Sequence, residues 1–341
     1  MKIYKEVKVL KKYIIVLLLI FSIALTGCGR YGKKGVERDL KKKIDKLSAY
    51  KLEGDLEIVN NDDIYKYKVD ASYKKPDNYK VDLVNTSNNY EQVILKNKDG
   101  VYVVTPALNK SFKFQSDWPY NNSQIYLLNS LIDDIKSDEE KEYKQTKNNY
   151  IFTTDVNYPN NKKLIKQRII FDKKLNLKQV KVFDENNVPL MTLKVSDIDY
   201  SPTFKKNYFS VNEVLKTTKT ESNIKKTSAL DDTIYPLFLP SGTKLSQEEK
   251  VKKEDGNRII MTFDGDKPFL LVEESAKKYD EMTIVPTYGE PFMMMDSFGV
   301  MTDNSLTWTS GGVEYYIVSD VLSQDELLEV AESINVLPTM K

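Results

Sequence analysis

Histidine is absent from all 341 residues, and cysteine occurs once, at position 28. Without histidine the chain lacks the usual general base near neutral pH and the usual transition-metal ligand. Ser-His-Asp and Cys-His catalysis are excluded, and an ordinary zinc site with them. A lone cysteine makes no internal disulfide, so folding rests on burial. Charge of one sign is missing too: 51 Lys and Arg meet 50 Asp and Glu, for a net +1. The two signs are interspersed, so no electrostatic footprint for nucleic acid exists. No Gly-rich loop of the phosphate-cradling kind is present. Paired carboxylates, Ser-Lys arrangements and tyrosine are the chemistries left over. The acidic run Asp133, Asp134, Asp138, Glu139 and Glu140 lacks the spacing of a calcium loop and reads as a solvated helix end. Asp264-Gly265-Asp266 reads as a turn. Ser72-Tyr73-Lys74-Lys75 falls on a strand with nothing beside it, and no carboxylate pair stands out as a glycosidase would require. The expectation is a chain with no catalytic residue, no metal and no cofactor.

What is present begins at the N-terminus. Lys2, Lys5, Lys8, Lys11 and Lys12 form a basic segment, and Tyr13 to Leu25 an apolar one. Thr26-Gly27 then supply small residues directly before Cys28, the order of a secretory signal with its cleavage site. The stretch Leu25-Thr26-Gly27-Cys28 resembles a bacterial lipobox. The apolar segment is shorter than the ~20 residues that span a bilayer, and Gly29-Arg30 end it abruptly. Residues 1–27 are therefore expected to be a lipoprotein signal peptide and Cys28 the acylated N-terminus, carrying palmitate-type chains. Each buried methylene contributes about 0.8 kcal/mol, so two or more chains hold a protein on the membrane almost permanently. Residues 28–35 form a lipidated tether whose Arg30, Lys33 and Lys34 suit an anionic surface. The expected location is the extracytoplasmic face of the cell membrane.

Beyond the tether, Val36, Leu40, Ile44 and Leu47 recur at helical spacing. The period then changes to two. Tyr50, Leu52, Gly54, Leu56 and Ile58 alternate with Lys51, Glu53, Asp55 and Glu57, and Tyr65 to Tyr73 repeats the pattern after Asn60-Asn61-Asp62-Asp63. Further strands are expected at Tyr79–Leu83, Glu91–Lys96, Val101–Thr105 and Lys110–Phe114. Gln124 to Ile135 returns to helical spacing. Strands resume at Tyr150–Thr154, Leu164–Phe171, Gln179–Phe183 and Leu190–Val195. The fold class is α+β: a large curved antiparallel sheet, curled by strand twist, with helices on its concave face. Residues 36–215 make this domain. Residues 216–232, rich in Lys, Thr and Ser, read as a linker. Residues 233–341 make a small α+β domain, with strands at Arg258–Phe263, Phe269–Glu273, Met282–Pro286, Leu306–Thr309 and Glu314–Val318. Ser323-Gln324-Asp325-Glu326 is a capping box opening a helix through Ile334.

Candidate binding residues are aromatic. Trp118, Pro119 and Tyr120 lie between a strand and a helix, where they either close the mouth of the curved sheet, contact a partner, or plug the core beneath a loop. Tyr65 and Tyr67 either line a cavity or cover a sheet edge. Pro291 precedes Phe292-Met293-Met294-Met295, which reads as a buried strand in preference to an adaptable methionine surface.

Several motifs carry a family resemblance. Lys75-Pro76-Asp77-Asn78-Tyr79-Lys80-Val81 resembles the start of a strand in LolA-like lipoprotein-sorting proteins, and Asp99 to Pro106 resembles their next hairpin. Leu108-Asn109-Lys110 and Phe114 to Pro119 are similar to a subset of sporulation and germination lipoproteins (YdcC and GerS type) of Gram-positive spore formers. Pro240, Trp308 to Gly312 and Tyr315-Tyr316 resemble a DUF4367-type domain. The resemblance implies an incomplete LolA/RseB-like half-barrel. It implies a non-enzymatic lipoprotein held on the cytoplasmic membrane by Cys28, which binds an envelope protein such as a cortex amidase in sporulation or germination. The alternative it implies is an acyl-lipid carrier that uses the concave apolar face, although a tethered chain cannot shuttle as the soluble outer membrane lipoprotein-sorting carriers do.

Overall fold

The computed structural model describes residues 31–60, 63–120, 123–158, 161–217, 230, 232–254, 256–294 and 298–334. The expected signal peptide and Cys28 lie outside the described residues, as does most of the expected linker.

Period-two alternation becomes strands where one face is wet. Helix α1 (Lys33–Lys46) leads into β1 (Ala49–Asn60), β2 (Asp63–Lys74), β3 (Asn78–Asn85), β4 (Glu91–Asn97), β5 (Gly100–Thr105) and β6 (Lys110–Phe114). Helix α2 (Leu128–Ser137) follows, then β7 (Glu142–Gln145), β8 (Asn149–Asp155), β9 (Lys166–Asp172), β10 (Leu177–Phe183) and β11 (Pro189–Asp199). On β1 and β2, Tyr50 opposes Tyr73, Leu52 opposes Ala71 and Leu56 opposes Tyr67. All six are buried. Their sequence neighbours form the other face, where Lys51 pairs with Asp70 at 2.8 Å. β11 returns beside β1 with a register shift between Glu53 and Gly54. A Cβ on Gly54 would stand 2.6 Å from the Lys194 carbonyl oxygen, so only glycine lets the two backbones approach there.

The apolar face is covered by both helices. Val36 and Leu40 of α1 and Leu131, Ile132 and Ile135 of α2 share one core with the strands. The Tyr50 hydroxyl accepts from the Leu128 amide at 3.2 Å, satisfying a donor at the start of α2. That helix begins four residues later than its apolar spacing predicts. Gln124 to Leu127 are buried but irregular, and the Gln124 amide donates to Ser130 Oγ at 2.8 Å instead of continuing a helix. α1 begins earlier than expected, taking Lys33 and Lys34 out of the tether.

The outer face of β4 and β5 is not wet. Helix α3 (Val211–Thr217), which the sequence did not predict, sets Val211 and Val214 against Val93, Leu95, Tyr102 and Val104. These strands are apolar on both faces because both are covered.

A second sheet follows. It contains β12 (Thr243–Lys253), β13 (Gly256–Gly265), β14 (Phe269–Ser275), β16 (Glu290–Met293), β17 (Phe298–Met301), β18 (Ser305–Ser310) and β19 (Val313–Val318), in the order β12-β13-β14-β19-β18-β17-β16. Helix α4 (Gln324–Glu332) packs Leu327, Leu328 and Ala331 onto it, opened by the expected capping box of Ser323 and Glu326. Trp308 and Tyr315 stack at 4.8 Å within this core.

The strand expected near Met282–Pro286 is present as β15 (Thr283–Thr287), but it leaves the second sheet. It adds in parallel to β6, pairing Thr283 with Lys110 through Thr287 with Phe114. The first sheet thereby reaches 12 strands, with β15 at one edge and β7 at the other, and is not closed. Further ties join the lobes. Buried Lys110 meets Glu314 at 2.7 Å, Asn109 donates to the Tyr279 carbonyl at 2.7 Å, and Gln92 accepts from the Phe298 amide.

Trp118, 1% exposed, anchors the core edge-on to Tyr79 at 6.0 Å. Trp118→Ala should cost about 3–5 kcal/mol of unfolding free energy, from lost burial plus the void left behind. Urea unfolding of the two proteins side by side checks this.

Candidate binding cavity between the lobes

The two sheets do not meet everywhere. At the end of β1 away from Tyr50, a cavity of about 650 Å³ separates them. Ile58, Ile94 and Met191 line it from the first sheet, while Phe292 and Met293 of β16, Met294 just after it and Leu328 of α4 line it from the second lobe. The volume falls within the ~300–1,000 Å³ typical of ligand sites. Trp118 is among the lining residues.

Charge is concentrated at the mouth. Lys162 and Lys163 come from the segment before β9, and Asp184 and Glu185 from the turn after β10. Asp325, Glu329 and Glu332 lie along α4 at spacings of four and three, which places them on one face. Lys162 meets Asp325 at 2.6 Å, and Lys163 reaches Glu329 at 3.7 Å and Glu332 at 3.6 Å. These pairs span the mouth from lobe to lobe. Burial pushes the Glu332 carboxyl up, against the opposing pull of Lys163. Asp184 accepts from the amides of Asn186 and Val188, which fixes its turn.

The sequence-predicted aromatic residues divide. Trp118 is in the cavity wall, and its carbonyl accepts from Lys96 Nζ at 2.7 Å. Pro119 is buried beside it. Tyr120 is 59% exposed, and its hydroxyl donates to Asp77 at 2.6 Å. Burial and the Asp77 carboxylate push that phenol up to about 12. Tyr65 and Tyr67 lie on the covered face of β2, outside the lining of this cavity; Tyr65 is half-buried against the core, and buried Tyr67 borders a small adjoining pocket with Met293, Met294 and Phe298. Phe292 and Met293, expected as a buried strand, are half-buried because they border the cavity. Sequence reasoning missed the mouth entirely. The only signal was the alternation of acids along α4, which by itself reads as a solvated helix face.

Six carboxyl groups are pushed upward, each mainly by burial: Asp134 to about 6, Glu273 to about 7, and Asp82, Glu91, Asp133 and Glu332. Asp133 and Asp134 are adjacent on α2, Asp82 and Glu91 lie on the neighbouring strands β3 and β4, and Glu273 and Glu332 are elsewhere on the second lobe. Asp134 on α2 accepts from Gln167 at 2.6 Å, Glu273 on β14 accepts from the Ile234 amide at 3.0 Å, and Glu332 faces Lys163. Asp134, Glu273 and Glu332 do not converge on a substrate position as acid–base catalysis requires, and Asp82, the neighbour of Glu91, is held in an ion pair with Lys80 at 2.8 Å. Among the described residues no cluster of three or more acids could hold a metal ion, and no helix is long and apolar enough to cross a membrane.

An open, curled antiparallel sheet with helices laid on its inner face places the chain in the LolA-like fold class. The family described as sporulation protein YdcC-like matches residues 10–209, and the chain belongs to that family. It is 36% identical to the sporulation protein YdcC of Bacillus subtilis, over 96% of this chain and 98% of the relative. Among solved structures, the GerS lipoprotein in complex with the CwlD amidase of Clostridioides difficile is 24% identical, with 51% of this chain and 98% of that one covered, at a TM-score of 0.31. The MucA/MucB complex of Pseudomonas aeruginosa is 10% identical over 87% of this chain and 98% of that one, also at 0.31. A LolA superfamily protein of Nitrosomonas europaea is 11% identical over 52% and 98%, at 0.29.

The Glu273 environment gives stability a definite pH dependence. Its folded form favours the neutral carboxyl, so between about pH 4.5 and 7 the folded chain keeps a proton that the unfolded chain has released. Stability from this group therefore falls as pH rises through that window, by about 3 kcal/mol in all at ~1.4 kcal/mol per pKa unit. Glu273→Gln should raise the thermal midpoint at pH 8 by several degrees and leave it unchanged at pH 4. Equal shifts at both pH values would show that burial of the charge is not the cause.

Proposed function

We propose that this chain is a non-enzymatic lipoprotein, anchored by acylated Cys28 on the extracytoplasmic face of the membrane, which binds an envelope protein during sporulation or germination. The observation that carries this reading is the fusion of the two lobes. β15 is built into the first sheet, and Lys110–Glu314 locks the same seam. A carrier has to open in order to load and release cargo, whereas a body joined by a shared strand suits the display of a fixed surface. The half of the concave face near Tyr50 is filled by α1 and α2, which weighs against an acyl-chain carrier using that face. The separation of Asp134, Glu273 and Glu332, and the engagement of Asp82 by Lys80 beside Glu91, weigh against glycan hydrolysis. Tyr235, Leu237 and Phe238 add an exposed apolar run on the second lobe, a composition found in protein contacts. A cortex-modifying amidase is the first partner to examine.

Two measurements test the reading. Alkyne-palmitate labelling should mark the wild-type protein in cells and leave Cys28→Ala unmarked; an unlabelled wild type removes the anchor from the proposal. Crosslinking in sporulating cells, followed by purification of the full chain, should recover a specific envelope protein. Recovery of lipid without any protein would replace partner binding with lipid carriage.

A further inference from the structure

The cavity between the lobes has an apolar floor and an acidic mouth, and this combination selects among occupants. Five carboxyl groups at the mouth face two ammonium groups. Both ammonium groups are already engaged with α4, by Lys162–Asp325 and by Lys163 with Glu329 and Glu332. Among the described residues no other cation lines the mouth to receive a phosphate. An anionic lipid headgroup would meet excess negative charge beside a low-dielectric floor, where Coulomb repulsion is strongest. A lysine or arginine side chain would meet the opposite situation at Asp184 and Glu185. The floor itself is rich in methionine, with Met191, Met293 and Met294. Methionine repacks around side chains of different shape, which suits a peptide better than a single fixed small molecule.

We propose that the interlobe cavity receives a segment of a partner protein in which apolar side chains are flanked by lysine or arginine. The apolar side chains enter between Met293 and Met191, and the basic ones remain at the mouth beside Asp184 and Glu185. This rests on the partner-binding reading above and names the chemistry of the contact. The occupant argued for is a basic peptide, and an anionic lipid is the competing outcome of the test.

The test uses residues 29–341, which contain every strand and helix of both sheets, and a fluorescein-labelled peptide of alternating leucine, phenylalanine and lysine. A matched peptide carries glutamate in place of lysine. Phosphatidylglycerol vesicles are the third probe. Two variants change the site without entering a core: Glu185→Lys, at an exposed mouth position, and Ile165→Ser, at a part-exposed lining position. Unchanged thermal midpoints confirm that both fold. Fluorescence anisotropy should show the basic peptide binding at least about tenfold more tightly than the acidic one, with binding weakened by salt. Each variant should weaken the basic peptide by about three- to tenfold.

Equal affinity for the two peptides, or no effect of either variant, overturns the proposal. So does displacement of the basic peptide by phosphatidylglycerol vesicles, which assigns the cavity to lipid. Crosslinking in cells separates this failure from failure of the broader reading. If both variants recover the partner as well as the wild type does, the partner binds elsewhere and only the cavity proposal falls. If the wild type recovers no partner, the broader reading falls.

Discussion

The arrangement of this protein depends on one pairing, the parallel addition of β15 to β6. Five residues of the second half of the chain complete the sheet of the first half. The strands immediately after them, β16 and β17, are thereby held over the open end of the curved sheet. Without that pairing the lobes would be joined by side-chain contacts and little more than the Tyr279 amide donating to the Leu108 carbonyl at 3.0 Å, and inter-domain contacts of that kind normally permit relative motion. With it, backbone hydrogen bonds tie the second half of the chain to the first a few residues before β16, whose Met293 lines the cavity opposite the first sheet. Lys110 shows how closely the seam is built. Its backbone is in the β5–β6–β15 ladder, while its ammonium group is buried against Glu314 of the second sheet.

Overall neutrality conceals local asymmetry. The chain as a whole balances to +1, yet the mouth of the cavity gathers acid from α4 and from the turn after β10. Neither source is unusual alone. The asymmetry arises because the fold brings the two lobes together there with their acidic edges facing. Lys162 and Lys163 offset part of it and in doing so bridge the lobes.

The first sheet was legible in the sequence because its strands have one dry face and one wet one. Tyr50, Leu52 and Leu56 alternate with Lys51, Glu53 and Asp55, and no helix period fits them. Two strands of the second sheet that break this condition were missed, whereas β4 and β5, covered on both faces, were found as short apolar runs around a turn. β12 is exposed along most of its length, so Thr243 to Lys253 shows no apolar alternation. β17 is buried on both faces, so Phe298 to Met301 shows no polar one. β15 was found as a strand but assigned to the second sheet, since pairing with a strand some 170 residues away leaves no local trace. The cavity was illegible for the same reason. Trp118 was recognised as a candidate, but its partners in the wall come from β1, β4, β11, β16 and α4, and no spacing rule connects those positions.

α1 starts at Lys33, so only Gly29, Arg30, Tyr31 and Gly32 separate the proposed acyl anchor at Cys28 from the folded body. A peptide of that length reaches at most roughly 15–18 Å when fully extended. Tyr31 is already in contact with the body, its ring 5.9 Å from Tyr150, which shortens the reach further. The proposed acyl anchor would therefore hold the folded body within a thin layer at the bilayer surface. A partner of the anchored protein would have to be present within that layer, and the length of the leash would act as a filter on partners alongside shape and charge.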